Sequence, residues 1–347
     1  MKTPCPGKIR VRRKWRTMLH RKHVDAKGNW VGYRPDIKIL DCTIRDGGLV
    51  NNHKFDESFV KAVYETCVAA GVDYCELGYK GARRLFAVGQ HGEWKFCDED
   101  TVRRVVGDGP RTIKLSVMAD VDRTDYHTDI LPKDKSVIDC VRVACYIHQI
   151  PGAIDMIKDA HDKGYETSLN LMAISSVQDR EIEDALAATA KSPVDTVYVV
   201  DSNGSLYSEQ VHDIVLGFMA GLEGTEKNVG IHAHNNMQLA YANTIEALIV
   251  GANRLDATIA GLGRGAGNCP LELLLAFLKN PKFHLRPVIE CIEKNFLPLR
   301  QKMDWGYSIP YMITGMLNEH PRSAIAVRES KQPDEYLAFY DQMVEKA

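Results

Sequence analysis

The chain of 347 residues lacks any run of about eighteen uncharged apolar residues, the length a membrane-crossing helix requires, so no membrane span is expected. Its nine cysteines include no Cys-x-x-Cys pair, which excludes the usual spacing of zinc ribbons and dithiol redox motifs. Several lie in apolar runs and read as small buried hydrophobes, so a reducing, cytoplasmic setting is the economical expectation. Both nucleotide fingerprints are missing. The one glycine-rich run, Gly261-Leu-Gly-Arg-Gly-Ala-Gly-Asn268, has no Lys-Ser/Thr and does not open a first strand–helix–strand unit. Internal repeats are absent, and the positive N-terminal residues are not followed by the long apolar core of a secretory leader. The formal charge of -2 excludes little, because it hides an asymmetry. Residues 1 to 34 hold eleven Lys or Arg against one acid, Asp25. No recognisable binding module surrounds Lys8-Ile-Arg-Val-Arg-Arg-Lys-Trp-Arg16, so the arm is expected to be solvated or subunit-docking, with neither nucleic acid nor membrane as partner.

What is present is a chain with 45% hydrophobic residues, enough for a full core. From Ile37 onward, short apolar runs alternate with amphipathic stretches of about 10 to 16 residues, the signature of successive βα units. Strands are expected near 37–42, 72–77, 112–118, 139–144, 165–171, 195–200, 228–233 and 254–259. Eight of them close a (β/α)8 TIM barrel of the α/β class. The expected organisation is a basic extension over 1–35, a barrel over 36–280 and a helical C-terminal region over 281–347. Asp56 can cap a helix ended by Gly71, and Gly164 and Gly221 can end two others.

In a closed barrel the catalytic mouth is built from the loops after the strands, and polar residues should gather there. Ile39-Leu-Asp-Cys-Thr-Ile-Arg-Asp-Gly-Gly48 reads as a strand end bringing Asp41, Arg45 and Asp46 to the mouth, with Gly47 and Gly48 freeing the backbone to turn. His232-Ala-His-Asn-Asn236 carries two histidines at i, i+2, which point the same way on an extended chain and can hold one ion. Asp46, His232 and His234 form a mixed nitrogen and oxygen set suited to Mn²⁺ or Mg²⁺, with Co²⁺ or Zn²⁺ also compatible. The plainer alternative is a turn-capping aspartate and two locally hydrogen-bonded imidazoles. Asn268 is a further oxygen donor or a helix N-cap ahead of Pro270. Arg45 suits a substrate carboxylate or an enolate oxygen, its alternative being a structural ion pair. Asp41 is expected to hold Arg45 or to sit on the barrel floor. Glu76, Tyr79, His148 and Asn170 follow strands, and Gly263 and Gly265 offer backbone N–H groups, so these six are candidates for substrate binding.

These motifs resemble the pyruvate-enolate metallolyase barrels, the HMG-CoA lyase-like superfamily. Within it, Ile231-His-Ala-His-Asn-Asn236, Ala242-Asn-Thr-Ile245, Leu255-Asp-Ala-Thr-Ile-Ala-Gly-Leu-Gly263 and Gly265-Ala-Gly-Asn-Cys-Pro270 resemble the 4-hydroxy-2-oxoacid aldolase branch. The resemblance implies a divalent cation on Asp46, His232, His234 and Asn268, an enolate-stabilising Arg45, and a proton-donating or oxyanion-contacting Tyr307 in the pair Gly306-Tyr307. It implies cleavage of a 2-oxo acid to a smaller 2-oxo acid and an aldehyde through an enolate, a homodimer, and an aldehyde dehydrogenase partner at the C-terminal region. One departure stands out. That branch carries a base histidine three residues after the ligand aspartate, and here the position is Leu49. Leucine moves no proton. Either another group, His53, Lys54, Tyr79 or His148, serves instead, with His53 taken as the catalytic candidate, or the substrate and reaction differ. The same residues would also suit a Claisen-type condensation of an acyl-CoA with a 2-oxo acid, or a barrel that keeps metal and serves only as an interaction partner.

Overall fold

The computed structural model describes residues 34–278 and 280–346, so the basic arm lies outside the described residues up to position 33. The expected alternation is realised as β1 (Lys38–Asp41), β2 (Tyr74–Tyr79), β3 (Lys114–Asp120), β4 (Cys140–Cys145), β5 (Glu166–Leu171), β6 (Thr196–Asp201), β7 (Asn228–Ala233) and β8 (Arg254–Ala257). Each strand lies within about two residues of its sequence-derived bounds. The order β1 to β8 is sequential and the sheet is a closed barrel, with Lys38 to Asp41 of β1 paired in parallel against Arg254 to Ala257 of β8.

Residues alternate along each strand between the helix ring and the barrel interior. Cys75 and Leu77, Val141 and Val143, Val197 and Val199, and Leu255 and Ala257 all belong to the core between sheet and helices. Helix Glu57–Ala70 buries Val60, Val63 and Cys67 on one face, each aliphatic burial being worth roughly 1.5–3 kcal/mol, and Gly71 ends it with a φ of 73°. The interior positions between those residues are Glu76, Arg142, Tyr198 and Asp256, so the inside of this barrel is polar and charged at its centre.

Helix Leu271–Leu278 completes the ring, and Leu285–Cys291 packs outside it on Glu57–Ala70. Three later helices, Ile309–Met316, Arg322–Arg328 and Tyr336–Val344, build a second small apolar cluster from Tyr311, Ile313, Ala324, Phe339 and Met343. That cluster includes Ala266 of the glycine run. Asn318 fastens it over the C-terminal ends of β5 and β6: its side-chain oxygen accepts hydrogen bonds from Ser175 Oγ at 2.6 Å and Ser205 Oγ at 2.7 Å. The C-terminal region therefore sits at the mouth. No helix of the described residues is long and apolar enough to cross a membrane.

Candidate active site

Directly after β1 the chain enters helix Thr43–Asn51, with Arg45 and Asp46 in its first turn. The glycine pair was expected to turn the chain; it lies inside this helix instead, and its role is close approach. A Cβ on Gly47 would stand 2.8 Å from the Leu262 side chain, and one on Gly48 would stand 2.2 Å from His53 Nδ1. Neither position tolerates a side chain without movement of its neighbour.

Asp46, His232 and His234 converge. Each offers one ligand atom, and the three atoms lie within 4.8 Å of one another. His232 Nε2 is 3.3 Å and His234 Nε2 3.8 Å from Asp46 Oδ2, and the Asn268 amide donates to the same oxygen at 2.6 Å. Three lone-pair atoms here are buried and have no hydrogen-bond partner: Asp46 Oδ1, His232 Nε2 and Asn268 Oδ1. Buried polar atoms are rarely left so. Burial pushes the Asp46 carboxyl upward, but Arg45, His234 and His232 outweigh it and hold the group well below its ordinary value. His232 Nδ1 lies 3.0 Å from Asp256 Oδ2, so the N–H donates there and the Nε2 lone pair faces Asp46. An anionic oxygen, two imidazole nitrogens and an amide oxygen suit a divalent cation.

Beneath this cluster lies a layer contributed by the even-numbered strands, Glu76, Arg142, Tyr198 and Asp256, the way barrel interiors are commonly filled. Here charged and aromatic groups occupy it. Arg142 is completely buried; it donates to Glu76 Oε2 at 2.9 Å and to Asp256 Oδ2 at 2.5 Å, and its guanidinium lies 4.4 Å from the Tyr198 ring centre. Arg45 Nε donates to the same Glu76 oxygen at 2.8 Å, and Arg45 Nη1 is 3.5 Å from Asp46 Oδ1. The sequence Asp46, Arg45, Glu76, Arg142, Asp256, His232 and back to Asp46 is a closed ring of buried charged and ionisable groups. A lone buried charge would be very costly, but here each has an opposite or hydrogen-bonding neighbour. Although burial opposes it, Asp256 and Glu76 hold Arg142 firmly charged, its pKa raised.

Other expected residues fall in different places. Glu76 was a candidate for substrate contact; its Oε2 is committed to two guanidinium groups. Asp41, expected to hold Arg45 or to sit on the floor, instead accepts hydrogen bonds from the Thr43 amide and hydroxyl at 3.1 and 2.7 Å, and burial pushes its carboxyl up to about 7. His53 is buried, in the left-handed region at φ 60°, and stacks edge-on against Tyr79 at 5.2 Å. Burial, then Lys95, His91 and Arg45, push His53 down to about 3, and its Nδ1 is buried without a partner. Lys95 Nζ stands 3.9 Å from the Tyr79 ring centre. Asn170 is buried and accepts from Ser168 Oγ at 2.9 Å. Gly265, at φ 66°, forms the left-handed bend of the glycine run, and a Cβ on Gly263 would meet the Asn268 amide at 2.4 Å. His148 lies exposed against Tyr146, and Tyr307 is 55% exposed. Neither joins the cluster. Leu49 is also exposed. Sequence reasoning missed Arg142, Asp256 and Arg264.

The family model described as HMGL-like matches residues 141–291. The chain is 31% identical over 259 residues to the oxaloacetate decarboxylase of Mycobacterium tuberculosis, covering 72% of each protein. It is 30% identical over 237 residues to 4-hydroxy-2-oxovalerate aldolase 3 of Rhodococcus opacus, covering 68% of this chain and 69% of that one. The HMG-CoA lyase of Brucella melitensis superposes with a TM-score of 0.61 at 17% identity, over 76% of this chain and 99% of that one, a likeness of fold.

Proposed function

Because this chain belongs to the HMGL-like family and is an enzyme of its pyruvate-enolate type, we propose that it breaks or forms the C3–C4 bond of a 2-oxo acid, with a divalent cation held by Asp46, His232, His234 and Asn268. The observation that carries this reading is the convergence of Asp46, His232 and His234 beside a guanidinium, with buried lone-pair atoms on Asp46, His232 and the neighbouring Asn268 left without a hydrogen-bond partner. When bound, the cation supplies Lewis-acid polarisation of a substrate oxygen. The two named relatives fit one chemistry. Retro-aldol cleavage of 4-hydroxy-2-oxovalerate and decarboxylation of oxaloacetate both break C3–C4 and leave the electron pair on C3 as a pyruvate enolate.

Arg45 lies beside the cluster with its Nη2 buried and unpartnered, so the two N–H groups on that nitrogen remain to meet the charge developing on the enolate oxygen. Glu76 fixes that guanidinium through Nε. Retro-aldol cleavage also requires the C4 hydroxyl to lose a proton, and His53 is the group we assign to it. Its ring is neutral at any working pH and rests against Gly48, the neighbour of Leu49. The burial that keeps it unprotonated also makes it a weak base, so it acts within a concerted bond cleavage. Purified protein with Mn²⁺ or Mg²⁺ should release pyruvate from 4-hydroxy-2-oxopentanoate, and chelation or His232→Ala should abolish the release. Absence of turnover in either direction across a panel of short 4-hydroxy-2-oxo acids would sink the proposal.

A further inference from the structure

One cation at the mouth has no part in the chemistry above. Arg264 leaves the glycine run between Gly263 and Gly265 and is part-buried. Its Nη2 donates to the Ser202 carbonyl at 2.8 Å, and its Nη1 is 2.9 Å from His320 Nε2. Both partners are uncharged: burial, with Arg264 and Arg322 nearby, pushes His320 down to about 4. Of its three other N–H groups, the one on Nε is buried with no partner.

The arginines of the floor differ. Arg45 and Arg142 each have carboxylates within 4.0 Å, whereas no carboxylate of the described residues forms an ion pair with Arg264. The acid acting most on it is Asp46, which Arg45, His232, His234 and Asn268 already surround. The other groups it senses are Tyr79 at the end of β2, Tyr146 beyond β4, and Arg45. Arg264 starts from the β8 loop and reaches the Ser202 carbonyl just beyond β6, so its guanidinium lies over the C-terminal ends of the strands, on the side of the barrel where the mouth is.

We propose that Arg264 binds a carboxylate on the carbonyl fragment at C4, so that the substrate is a 4-hydroxy-2-oxo dicarboxylate and its products are pyruvate and a second oxo acid. This rests on the lyase reading above and specifies its substrate class. A guanidinium with free N–H groups matches a carboxylate better than it matches the methyl end of a neutral aldehyde. Pairing stabilises the anion, so this carboxylate is one that is retained and not the one lost as carbon dioxide. The step balances without a redox partner. The C3–C4 pair moves to C3 and the C2 oxygen, the C4 hydroxyl yields its proton to the protein and becomes a carbonyl, and the enolate takes one proton at C3.

The test compares binding of two probes of equal chain length that cannot undergo retro-aldol cleavage, 2-oxoglutarate and 2-oxopentanoate, by calorimetry in the presence of Mn²⁺. The wild type should bind the dicarboxylate at least about tenfold more tightly, and Arg264→Gln should bring the ratio close to one while leaving 2-oxopentanoate affinity within about threefold. A wild-type ratio near one, or a preference that survives in Arg264→Gln, overturns the proposal. Equal weakening of both probes in the variant also overturns it, leaving Arg264 as a strap between the β8 loop and His320. Turnover of 4-hydroxy-2-oxopentanoate without any dicarboxylate preference would remove this inference and keep the lyase. Failure to bind either probe, together with no turnover, would remove both.

Discussion

Two arginines of this barrel, one fully buried and one part-buried, are in opposite situations. Arg142, at the floor, has carboxylates on two sides and an aromatic face on a third, and its neighbours hold its charge more firmly than water would. Arg264, at the mouth, has a carbonyl, a neutral imidazole and an unsatisfied N–H; burial weakens its hold on the proton. His53 is on the same side of the comparison, a buried ring kept neutral among cations. Compensated charge is architecture, because it fixes the groups around it. Uncompensated charge at an opening is a cost the folded chain carries until an anion arrives.

The comparison breaks most easily at Arg142. Arg142→Met leaves Glu76 and Asp256 buried without their shared cation, and loss of one partner from a buried pair costs about 3–5 kcal/mol. Chemical denaturation should show a loss of that size; a loss below about 1 kcal/mol would mean the ring is not the framework of the site. Asp256→Asn is the gentler cut. The amide oxygen can still accept the His232 N–H, but without charge it anchors the ring less firmly, so Mn²⁺ affinity should fall about 10- to 100-fold by titration. Unchanged affinity would detach the floor from the ligands above it.

His53 gives a test in pH. Its folded-state pKa, about 3, lies below the ordinary 6.5, so between those values the unfolded chain binds the extra proton and stability falls as the pH falls. From neutrality to about pH 5 the loss from this one group should be about 2 kcal/mol, and His53→Gln should remove it. Parallel stability curves for wild type and variant would show that the ring is not held neutral by the fold.

The barrel could be read from the chain because parallel strands buried on both faces appear as short apolar runs between amphipathic helices. Asp46, His232 and His234 were legible for a related reason: Arg45-Asp46 and His232-x-His234 are local pairs, and local spacing is visible in sequence. The floor was not. Glu76 and Arg142 are 66 residues apart and Arg142 and Asp256 are 114 apart, one charge per strand, and only closure of the sheet brings them together. A signal existed in the single charge at the centre of Cys-Val-Arg-Val-Ala-Cys and in Asp256 between Leu255 and Ala257. Gly47 and Gly48 misled because glycine is usually a mark of turns; what demands it here is contact with Leu262 and His53, and His53 reaches Gly48 only through its own left-handed backbone.

The smallest expected effect is the sharpest for the comparison. In ligand-free protein, Arg264→Gln removes hydrogen bonds to Ser202 and His320, which destabilises, and removes a part-buried cation without a counterion, which stabilises. At neutral pH the wild type is charged both folded and unfolded and so carries the full cost of a depressed folded-state pKa; glutamine does not. The two changes oppose each other, and unfolding should shift by less than about 1 kcal/mol in either direction, against the several expected at Arg142. Adding 2-oxoglutarate with Mn²⁺ should then separate the proteins, since only the wild type gains stability from a second carboxylate. If Arg264→Gln instead proves as damaging as Arg142→Met with no ligand present, the mouth arginine is architecture too, and the contrast between the two ends of the barrel fails.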